Sequence, residues 1–414
     1  MTTPPASIPL VSTIFGLTYL ALALGKVPGL RIDRAGIALV GAAVMLAGGV
    51  LTMREAAEAV DHETIALLFG MMVLVSYLRM AGFFALATER IAARFSGPLT
   101  LLAVTITLSG VLSAFLVNDV VCVAMTPLVL HLCHRLNRPP IPYLVGLATA
   151  SNIGSVATIT GNPQNMIIGS LSHISYTRFA ARLAPVAVIG LFLNFAVVVW
   201  LYRKMLVKTG EAPSPVDDST SPRVHRGLLI KSIAVTAATV GLFFAGQPIA
   251  LVALAAAGVL MLSRIRPEKV YTRIDWPLLV MFTGLFVVVH AFEMHVVRPW
   301  GLERCDALRQ SPVVLVSGLS VLLSNLVSNV PAVLLFKPLM EVMPQKELAW
   351  LALAMSSTLA GNLTVLGSVA NLIVVENARR AGTELGFLEY LKVGVPLTVL
   401  TIMVGVAWLA LVPY

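Results

Sequence analysis

The sequence predicts an all-α polytopic membrane protein made of two inverted repeats, with about ten crossings, two re-entrant hairpins and two broken helices. Three observations support this fold class. The 414-residue chain is 58% hydrophobic and 12% charged, whereas soluble domains average about 25% charged residues. Apolar runs recur at the roughly 17–25 residues that a membrane crossing needs. The interruptions of the first half of the chain recur in the second half, as an internal repeat requires.

The first half opens with three apolar runs of crossing length, at 8–24, 35–51 and 63–80. The stretch that follows, 83–95, carries charged and apolar residues at helical spacing and is typical of an interfacial helix. The next apolar segment, 98–133, is too long for one helix and is interrupted by Asn and Asp near its middle. A re-entrant hairpin, which leaves on its side of entry, explains both the length and the interruption.

A broken helix is predicted over 142–173. Its sequence changes to Asn, Gly, Ser and Thr from Ser151 to Gly161 and becomes helical again behind Pro163. Irregular backbone at membrane depth is tolerated only where protein covers it or water reaches it. A crossing at 180–202 completes the half. Residues 203–227 are polar and rich in Pro and Ser, which is typical of a linker.

The second half repeats this order. We expect three crossings, at 228–246, 248–263 and 275–293, followed by an amphipathic stretch, Met294–Gln310. A hairpin at 312–343, a broken helix at 347–376 and a last crossing at 388–412 complete the half.

The hairpins align without a gap, with 112–127 over 323–338, so that Asn118 matches Asn329. We therefore divide the chain into repeats at 1–202 and 228–414, joined by a cytoplasmic linker. Each repeat has five crossings, an odd number, so the second is inverted relative to the first. Inverted repeats with a site at their interface are a transporter architecture.

Loop charge predicts the orientation. Most of the 29 Lys and Arg residues fall in the loops on one side of the ten crossings, and that side is cytoplasmic by the positive-inside rule. We expect a multi-pass protein of the cell inner (plasma) membrane, embedded in the lipid bilayer, with both termini outside. The first hairpin then enters from the cytoplasm and the second from outside, so their tips approach each other at mid-membrane.

The candidate site consists of the two hairpin tips and the two helix breaks. Asn suits such a site because its amide donates and accepts hydrogen bonds without burying a charge, and exposed helix ends attract ions. The alternative is that these polar residues only join neighbouring helices. The predicted ion- or substrate-binding residues are Asn118, Asp119, Ser151, Asn152, Thr160, Gly161, Asn162, Asn165, Asn325, Asn329, Gly361, Asn362, Thr364, Ser368 and Asn371.

Asp119 is predicted to be the only acidic side chain deep within the membrane. Burying a carboxylate there costs about 2.5–3.5 kcal/mol on insertion scales, so we interpret Asp119 as a cation ligand or proton carrier. The alternative is a helix cap. We expect Lys337 to extend to the outer surface, and His290 and Glu293 to be interfacial.

Several function classes are disfavoured. The chain contains no P-loop motif and no constellation of catalytic residues, so an enzyme is not expected, and neither is a cofactor other than a coupling ion. The basic net charge of +9 is explained by cytoplasmic loops rather than by nucleic acid. A channel would need a polar stripe along several helices, and the polar residues cluster at one depth.

Four segments resemble a known family: VNDVVCVAMTPLVL, SNIGSVATITGNPQN, SNLVSNVPAVLLF and AGNLTVLGSVANLIVVE. They resemble the paired motifs of the ion transporter superfamily, which includes arsenite efflux permeases, D-type sodium/proton antiporters, citrate-type transporters and divalent anion/sodium symporters. The resemblance implies two re-entrant hairpins, a scaffold that dimerises and a transport part that moves like an elevator. A glycine-rich face on the second helix, Gly36, Gly41, Gly48 and Gly49, also permits close helix contact.

By the same resemblance, Asn118 and Asp119 with Ser151, Asn152 and the Gly161–Asn165 turn form one ion site. Na⁺ could be held there by Asn118, Asp119, Ser151 and Asn152. The second site would contain Asn329, Gly361, Asn362, Thr364 and Ser368. The hairpin tips, Val117-Asn118-Asp119 and Ser328-Asn329-Val330, depart from the Ser-Asn-Thr triplet of the dicarboxylate symporters. They look more like the arsenite permease and antiporter branches.

The expected function is secondary active transport of a small inorganic ion, with an anion favoured, coupled to H⁺ or Na⁺. The alternatives are an arsenite or antimonite efflux permease or a Na⁺/H⁺ antiporter and, from another class, an ion channel. Because the chain has no P-loop, energy must come from a gradient or from a separate ATPase subunit, which resemblance to arsenite permeases would allow.

Overall fold

A computed structural model describes residues 8–25, 29, 31–95, 97–207, 224–300, 312–343 and 345–412. All regular structure in these residues is helical, as the composition predicts. The centre of the predicted linker and most of the predicted amphipathic stretch Met294–Gln310 lie outside the described residues.

The first repeat contains ten helices. Asp33 and Asp61 begin two of them by accepting backbone N–H hydrogen bonds, and Pro98, Pro140 and Pro163 occupy first-turn positions, where a missing N–H costs nothing. The helices are α1 (Ile8–Leu24), α2 (Arg34–Ala47), α3 (Met53–Ala59), α4 (His62–Met80), α5 (Phe83–Arg94), α6 (Pro98–Phe115), α7 (Asn118–Arg135), α8 (Pro140–Ser155), α9 (Pro163–Ser172) and α10 (Tyr176–Val207).

The second repeat has the same order of elements. Its α14 continues through a π-helical turn, Glu293–Val297, and a last turn, Arg298–Trp300. The helices are α11 (Arg226–Phe244), α12 (Ile249–Met261), α13 (Pro267–Tyr271), α14 (Trp276–Phe292), α15 (Pro312–Val327), α16 (Asn329–Val342), α17 (Lys346–Ala360), α18 (Val369–Arg380) and α19 (Phe387–Leu411). Thus α1–α4 correspond to α11–α14, and α6–α10 correspond to α15–α19.

Among the described residues, six helices are long and apolar enough to cross a membrane: α4, α6, α10, α11, α14 and α19. The predicted crossings α1, α2 and α12 are shorter apolar helices. Helix α6 has crossing length although it is predicted as a hairpin arm. It ends two residues before the polar tip, and α7 returns against it. The arms α15 and α16 pack in the same way.

The helices pack as two bodies. In the first body, α2 lies against α14 and α4 lies against α12, so the two repeats interlock. Glycines permit both contacts, because a Cβ on Gly70 would lie 2.6 Å from the Ala253 backbone and one on Gly284 would lie 2.7 Å from the Ala38 backbone. The second body joins α6 to α8, α15 to α17 and α10 to α19. It contains both hairpins and both broken helices.

Candidate functional site

The first helix break is closed by its own asparagines. Helix α8 ends at Ser155, one 3₁₀ turn follows at Ile159–Gly161, and α9 begins at Pro163. The Asn162 side chain caps α9 by accepting from the Asn165 N–H at 2.8 Å. The Asn165 side chain donates to the carbonyls of Ser155 and Thr158, at 3.0 and 3.1 Å. These bonds satisfy groups that a broken helix leaves unpaired.

The second break repeats this arrangement. Helix α17 ends at Ala360, a 3₁₀ turn follows at Val365–Gly367, and Ser368 caps α18 by accepting from the Ala370 N–H at 3.2 Å. The Asn371 side chain donates to the carbonyls ten and seven residues earlier, at 2.7 and 3.1 Å, as Asn165 does in the first break. Asn371 is therefore the counterpart of Asn165, and Thr358 is the counterpart of Asn152.

Asn152 belongs to the first broken helix, but its side chain is bonded into the second break. Its Nδ2 donates to Asn362 Oδ1 at 2.9 Å and to Asn371 Oδ1 at 3.0 Å. Its Oδ1 accepts from Ser368 Oγ and from Asn118 Nδ2, both at 3.0 Å. Asn152 is 1% exposed, so one amide with every hydrogen-bonding position used joins the first hairpin tip to the opposite repeat.

Thr358 has the reciprocal position. It belongs to α17, and its hydroxyl donates to Asn165 Oδ1 at 3.3 Å and accepts from Asn162 Nδ2 at 3.1 Å. Gln164 Nε2 also lies 3.4 Å from the Thr358 hydroxyl oxygen. Each break is thus held by a side chain from the first half-helix of the other repeat.

The hairpin tips contact the breaks unequally. Asn118 uses its amide nitrogen for Asn152, while its Oδ1 is buried without a hydrogen-bond partner among the described residues. Asn329, oriented with its nitrogen toward the carbonyls of Gly367 and Ser357, donates to them at 3.3 and 3.2 Å. Asn325 donates to the Ala360 carbonyl at 3.0 Å. The second tip is therefore occupied with backbone, and the first retains an unused acceptor.

Asp119 follows Asn118 in the first turn of α7. It is half-buried, and helix α7, to which it belongs, packs against α18 of the second break. In the part of the chain that the structure describes, no Lys or Arg forms a salt bridge with it. The predicted counterpart, Val330, is buried. Only the first tip therefore carries a titratable group.

The two breaks differ in exposure. Every residue from 151 to 170 is buried. In the second break Thr364 is half-buried and Leu366 is 63% exposed. The second break therefore reaches the surface at its 3₁₀ turn, which packs against the second hairpin, while the first break is enclosed. Gly161 is at the enclosed break, where a Cβ would lie 2.2 Å from the Ser155 carbonyl oxygen.

The structure groups the predicted residues differently from the resemblance. Asn118 and Asn152 join Asn362, Ser368 and Asn371 of the second repeat, instead of the turn of their own repeat.

Two predicted residues have evident structural roles. Thr160 pairs with the Tyr176 hydroxyl at 2.8 Å, and Ser151 donates to the Ala148 carbonyl at 2.8 Å. Sequence reasoning missed Thr358, whose position opposite Asn152 emerges when Asn165 is aligned with Asn371. It also missed Asn194, which accepts from Thr149 Oγ1 at 2.9 Å.

Glu293 is more buried than predicted. It is 2% exposed, with Arg298 Nη2 at 3.2 Å from one oxygen and Lys337 Nζ at 3.3 Å from the other. The Lys337 contact is an ion pair without hydrogen-bond geometry, since that oxygen has no hydrogen-bond partner. Lys337, which was predicted to extend to the outer surface, is 26% exposed and pairs with this carboxylate. Glu293 is the first residue of the π-helical turn.

Several known transporters are similar to this chain. The family described as citrate transporter, CitMHS, matches residues 19–360. The silicon efflux transporter LSI3 of Oryza sativa subsp. japonica is 31% identical over 97% of this chain and 98% of that protein. A Dictyostelium discoideum protein named arsB is 26% identical over 92% of this chain and 88% of its own length. The crystal structure of the Alcanivorax borkumensis YdaH transporter has a TM-score of 0.58 at 18% identity, covering 98% and 97% of the two chains, which indicates a shared fold.

Proposed function

The chain belongs to the citrate transporter family and is a multi-pass membrane transporter, and from that premise we propose that it is a secondary active permease for a small inorganic ion, an anion, coupled to H⁺ or Na⁺. The observation that carries the proposal is the pair of helix breaks joined through Asn152 and Thr358. Two pseudo-equivalent breaks in contact at one place are the expected arrangement of a transporter site.

The preference for an anion rests on helix ends. Helices α7 and α16 begin at the hairpin tips, and α9 and α18 begin at the breaks. A helix N-terminus carries about half a positive charge, and four of them are directed to the same region. The hydrogen bonds among the break residues involve amides, hydroxyls and backbone. The site therefore attracts an anion without a fixed cation that would hold it too tightly.

Coupling is assigned to the first hairpin tip. Asn118, whose Oδ1 has no hydrogen-bond partner among the described residues, immediately precedes Asp119 in the chain. Carboxylate and amide oxygens are ligands for hard cations. Na⁺ bound by the Asn118 Oδ1 and the Asp119 carboxylate, or H⁺ on Asp119, would neutralise this tip before the substrate crosses. The other two predicted Na⁺ ligands, Ser151 and Asn152, would have to give up existing hydrogen bonds to take part.

Elevator movement is part of the proposal. The site lies wholly within the second body, while α1–α4 and α11–α14 form the other. Among the described residues, the polar contacts between the bodies are few. Tyr19 donates to the Pro331 carbonyl at 3.2 Å, Glu293 pairs with Lys337, and Thr177 of α10 donates to the Phe244 carbonyl of α11 at 3.0 Å. Because few polar contacts would have to be broken, the second body could move along the first.

The second candidate is an efflux permease for arsenite or antimonite. The Asn-Asp tip and the Dictyostelium relative named arsB favour it, and the rice relative, named a silicon efflux transporter, extends the candidates to silicate. A Na⁺/H⁺ antiporter would use Asp119 in the same way without an anion. An ion channel ranks lower, because the first break is enclosed by protein.

The test is transport in proteoliposomes that contain the purified protein. Arsenite, silicate and citrate are offered in turn, with imposed pH and Na⁺ gradients and protein-free liposomes as the control. We expect saturable uptake of an inorganic ion that one gradient accelerates, and counterflow of the labelled ion. Transport that ignores both gradients, or lacks saturation and counterflow, would contradict the proposal.

We further propose a homodimer in the plasma membrane with both chain termini outside and the 203–227 linker in the cytoplasm. The glycine face of α2 gives this less support than expected, because Gly41 already packs against Thr18 and Val288 of the same chain. The opposite, exposed side, with Leu39, Val40 and Val44, is the available surface. Cysteine crosslinking there tests the dimer, and co-purification tests for an ATPase subunit.

A further inference from the structure

A strongly basic pocket lies in the first body, outside the two breaks. It has a volume of about 720 Å³, and it lies between the end of α4, the start of α11 and the segment from the end of α12 through α13. Five cationic side chains line it: Lys231, Arg264, Arg266, Lys269 and Arg273. We call this cavity the basic pocket.

Within the described part of the chain, no carboxylate neutralises the charges of the basic pocket. No salt bridge there includes any of its five cations, and none of the described residues that line it is acidic. The Lys231 ammonium donates to the Leu262 carbonyl at 2.7 Å, which places it at the C-terminal end of α12. Arg79 adds a further positive charge close to Arg273. Like charges held this close favour an anionic ligand.

The surroundings of the basic pocket are apolar and exposed. Leu262, which lines it, is 81% exposed, and Ile230 in the first turns of α11 is 70% exposed. Helix α11 is only 22% buried over its crossing window, so it presents an apolar surface to the bilayer. A ligand with a charged group and hydrocarbon chains fits both parts, whereas a free anion uses only the first.

We propose that the basic pocket binds the phosphate-bearing headgroup of an anionic phospholipid, whose acyl chains lie along α11 and α12. Basic pockets between transmembrane helices on the cytoplasmic side are suited to such headgroups, and loop charge predicts that side for this pocket. The ligand would be held by the first body, leaving the breaks in the second body free for the transported ion.

The test compares the wild type with the double variant Arg266→Gln, Lys269→Gln. Both side chains are exposed, so folding should be unaffected. The matched control is Arg203→Gln, Lys204→Gln, which removes two exposed charges at the end of α10. Delipidated protein in neutral detergent is titrated with phosphatidylglycerol, with phosphatidylcholine, or with inorganic phosphate, and binding is followed by thermal unfolding and native mass spectrometry.

We expect phosphatidylglycerol to raise the unfolding temperature of the wild type and the control equally. Its affinity for the double variant should fall about five-fold for each charge removed. Phosphatidylcholine should have no comparable effect. Equal phosphatidylglycerol affinity in wild type and double variant, or equal stabilisation by phosphatidylcholine, would overturn the proposal. Stabilisation by inorganic phosphate alone that matches phosphatidylglycerol would overturn the lipid assignment and indicate a site for free anions.

Discussion

Replacing Asn152 by Ala tests whether one amide holds the two repeats together. The side chain makes four hydrogen bonds of 2.9–3.0 Å, to Asn118, Asn362, Ser368 and Asn371. A buried hydrogen bond contributes about 0.5–1.5 kcal/mol in soluble proteins and averages about 0.6 kcal/mol between membrane helices. At about 0.6–1 kcal/mol for each bond, four bonds give about 2–4 kcal/mol of lost stability, because their partners remain buried.

Asn194→Ala is the matched control. Asn194 is also a buried asparagine, but it makes two side-chain hydrogen bonds, with Thr149 and with the Gly146 carbonyl, at 2.9 and 3.2 Å. By the same accounting its loss costs about 1–2 kcal/mol, and it does not enter either break. The measurements are denaturant unfolding in detergent and transport in liposomes.

We expect Asn152→Ala to lose roughly twice as much unfolding free energy as Asn194→Ala, and to lose transport when the control retains it. A double-mutant cycle with Asn371→Ala should give a coupling energy of about 0.5 kcal/mol or more, because the residues are in contact. Equal destabilisation by the two alanine variants, together with full transport by Asn152→Ala, would refute the reasoning.

Three other substitutions test separate parts of the structure. Asp119→Asn should leave the protein folded and abolish the pH or Na⁺ dependence of liposome transport; wild-type rates with an unchanged dependence would leave Asp119 as a helix cap, since Asn caps equally well. Gly161→Ala should cost about 1–3 kcal/mol of unfolding free energy, because its Cβ would lie 2.2 Å from a carbonyl oxygen, whereas Gly318→Ala, with open space around it, should be neutral or stabilising. Glu293→Gln should cost about 1 kcal/mol, because its partners are partly exposed and exposed pairs contribute little; a cost no larger than that of Glu58→Gln, in a fully surface pair, would show that burial adds nothing.

The positions of most long helices could be predicted to within a few residues from the sequence, because their boundaries have local causes, whereas the short helices α3 and α13 were not predicted. The predicted runs 8–24 and 63–80 match α1 and α4 within one residue, since apolar length and capping residues act within a few positions of the chain. The breaks were predicted for the same reason: Gly, Asn and Ser cannot continue an apolar helix without exposing backbone groups that need partners.

Partners across the fold could not be predicted in this way. Hairpin alignment matched Asn118 with Asn329, but periodicity does not reveal that Asn152 bonds to Asn371 in the opposite repeat. That pairing depends on how two inverted copies meet, which no local pattern encodes. Glu293 was expected to be interfacial because hydropathy places it at a helix end, whereas packing of the whole fold leaves it 2% exposed.

The sequence by itself determined the membrane class, the two repeats, the breaks and the identity of the polar groups in them, because composition and spacing set these one segment at a time. The tertiary structure alone decided which groups meet. It joined each break to the other repeat through Asn152 and Thr358, enclosed one break while exposing the other, and brought Lys231 of α11 next to the four cations of the segment 264–273 in the basic pocket. Contacts between residues far apart in the chain follow from packing of the whole fold, since only packing brings them within bonding distance.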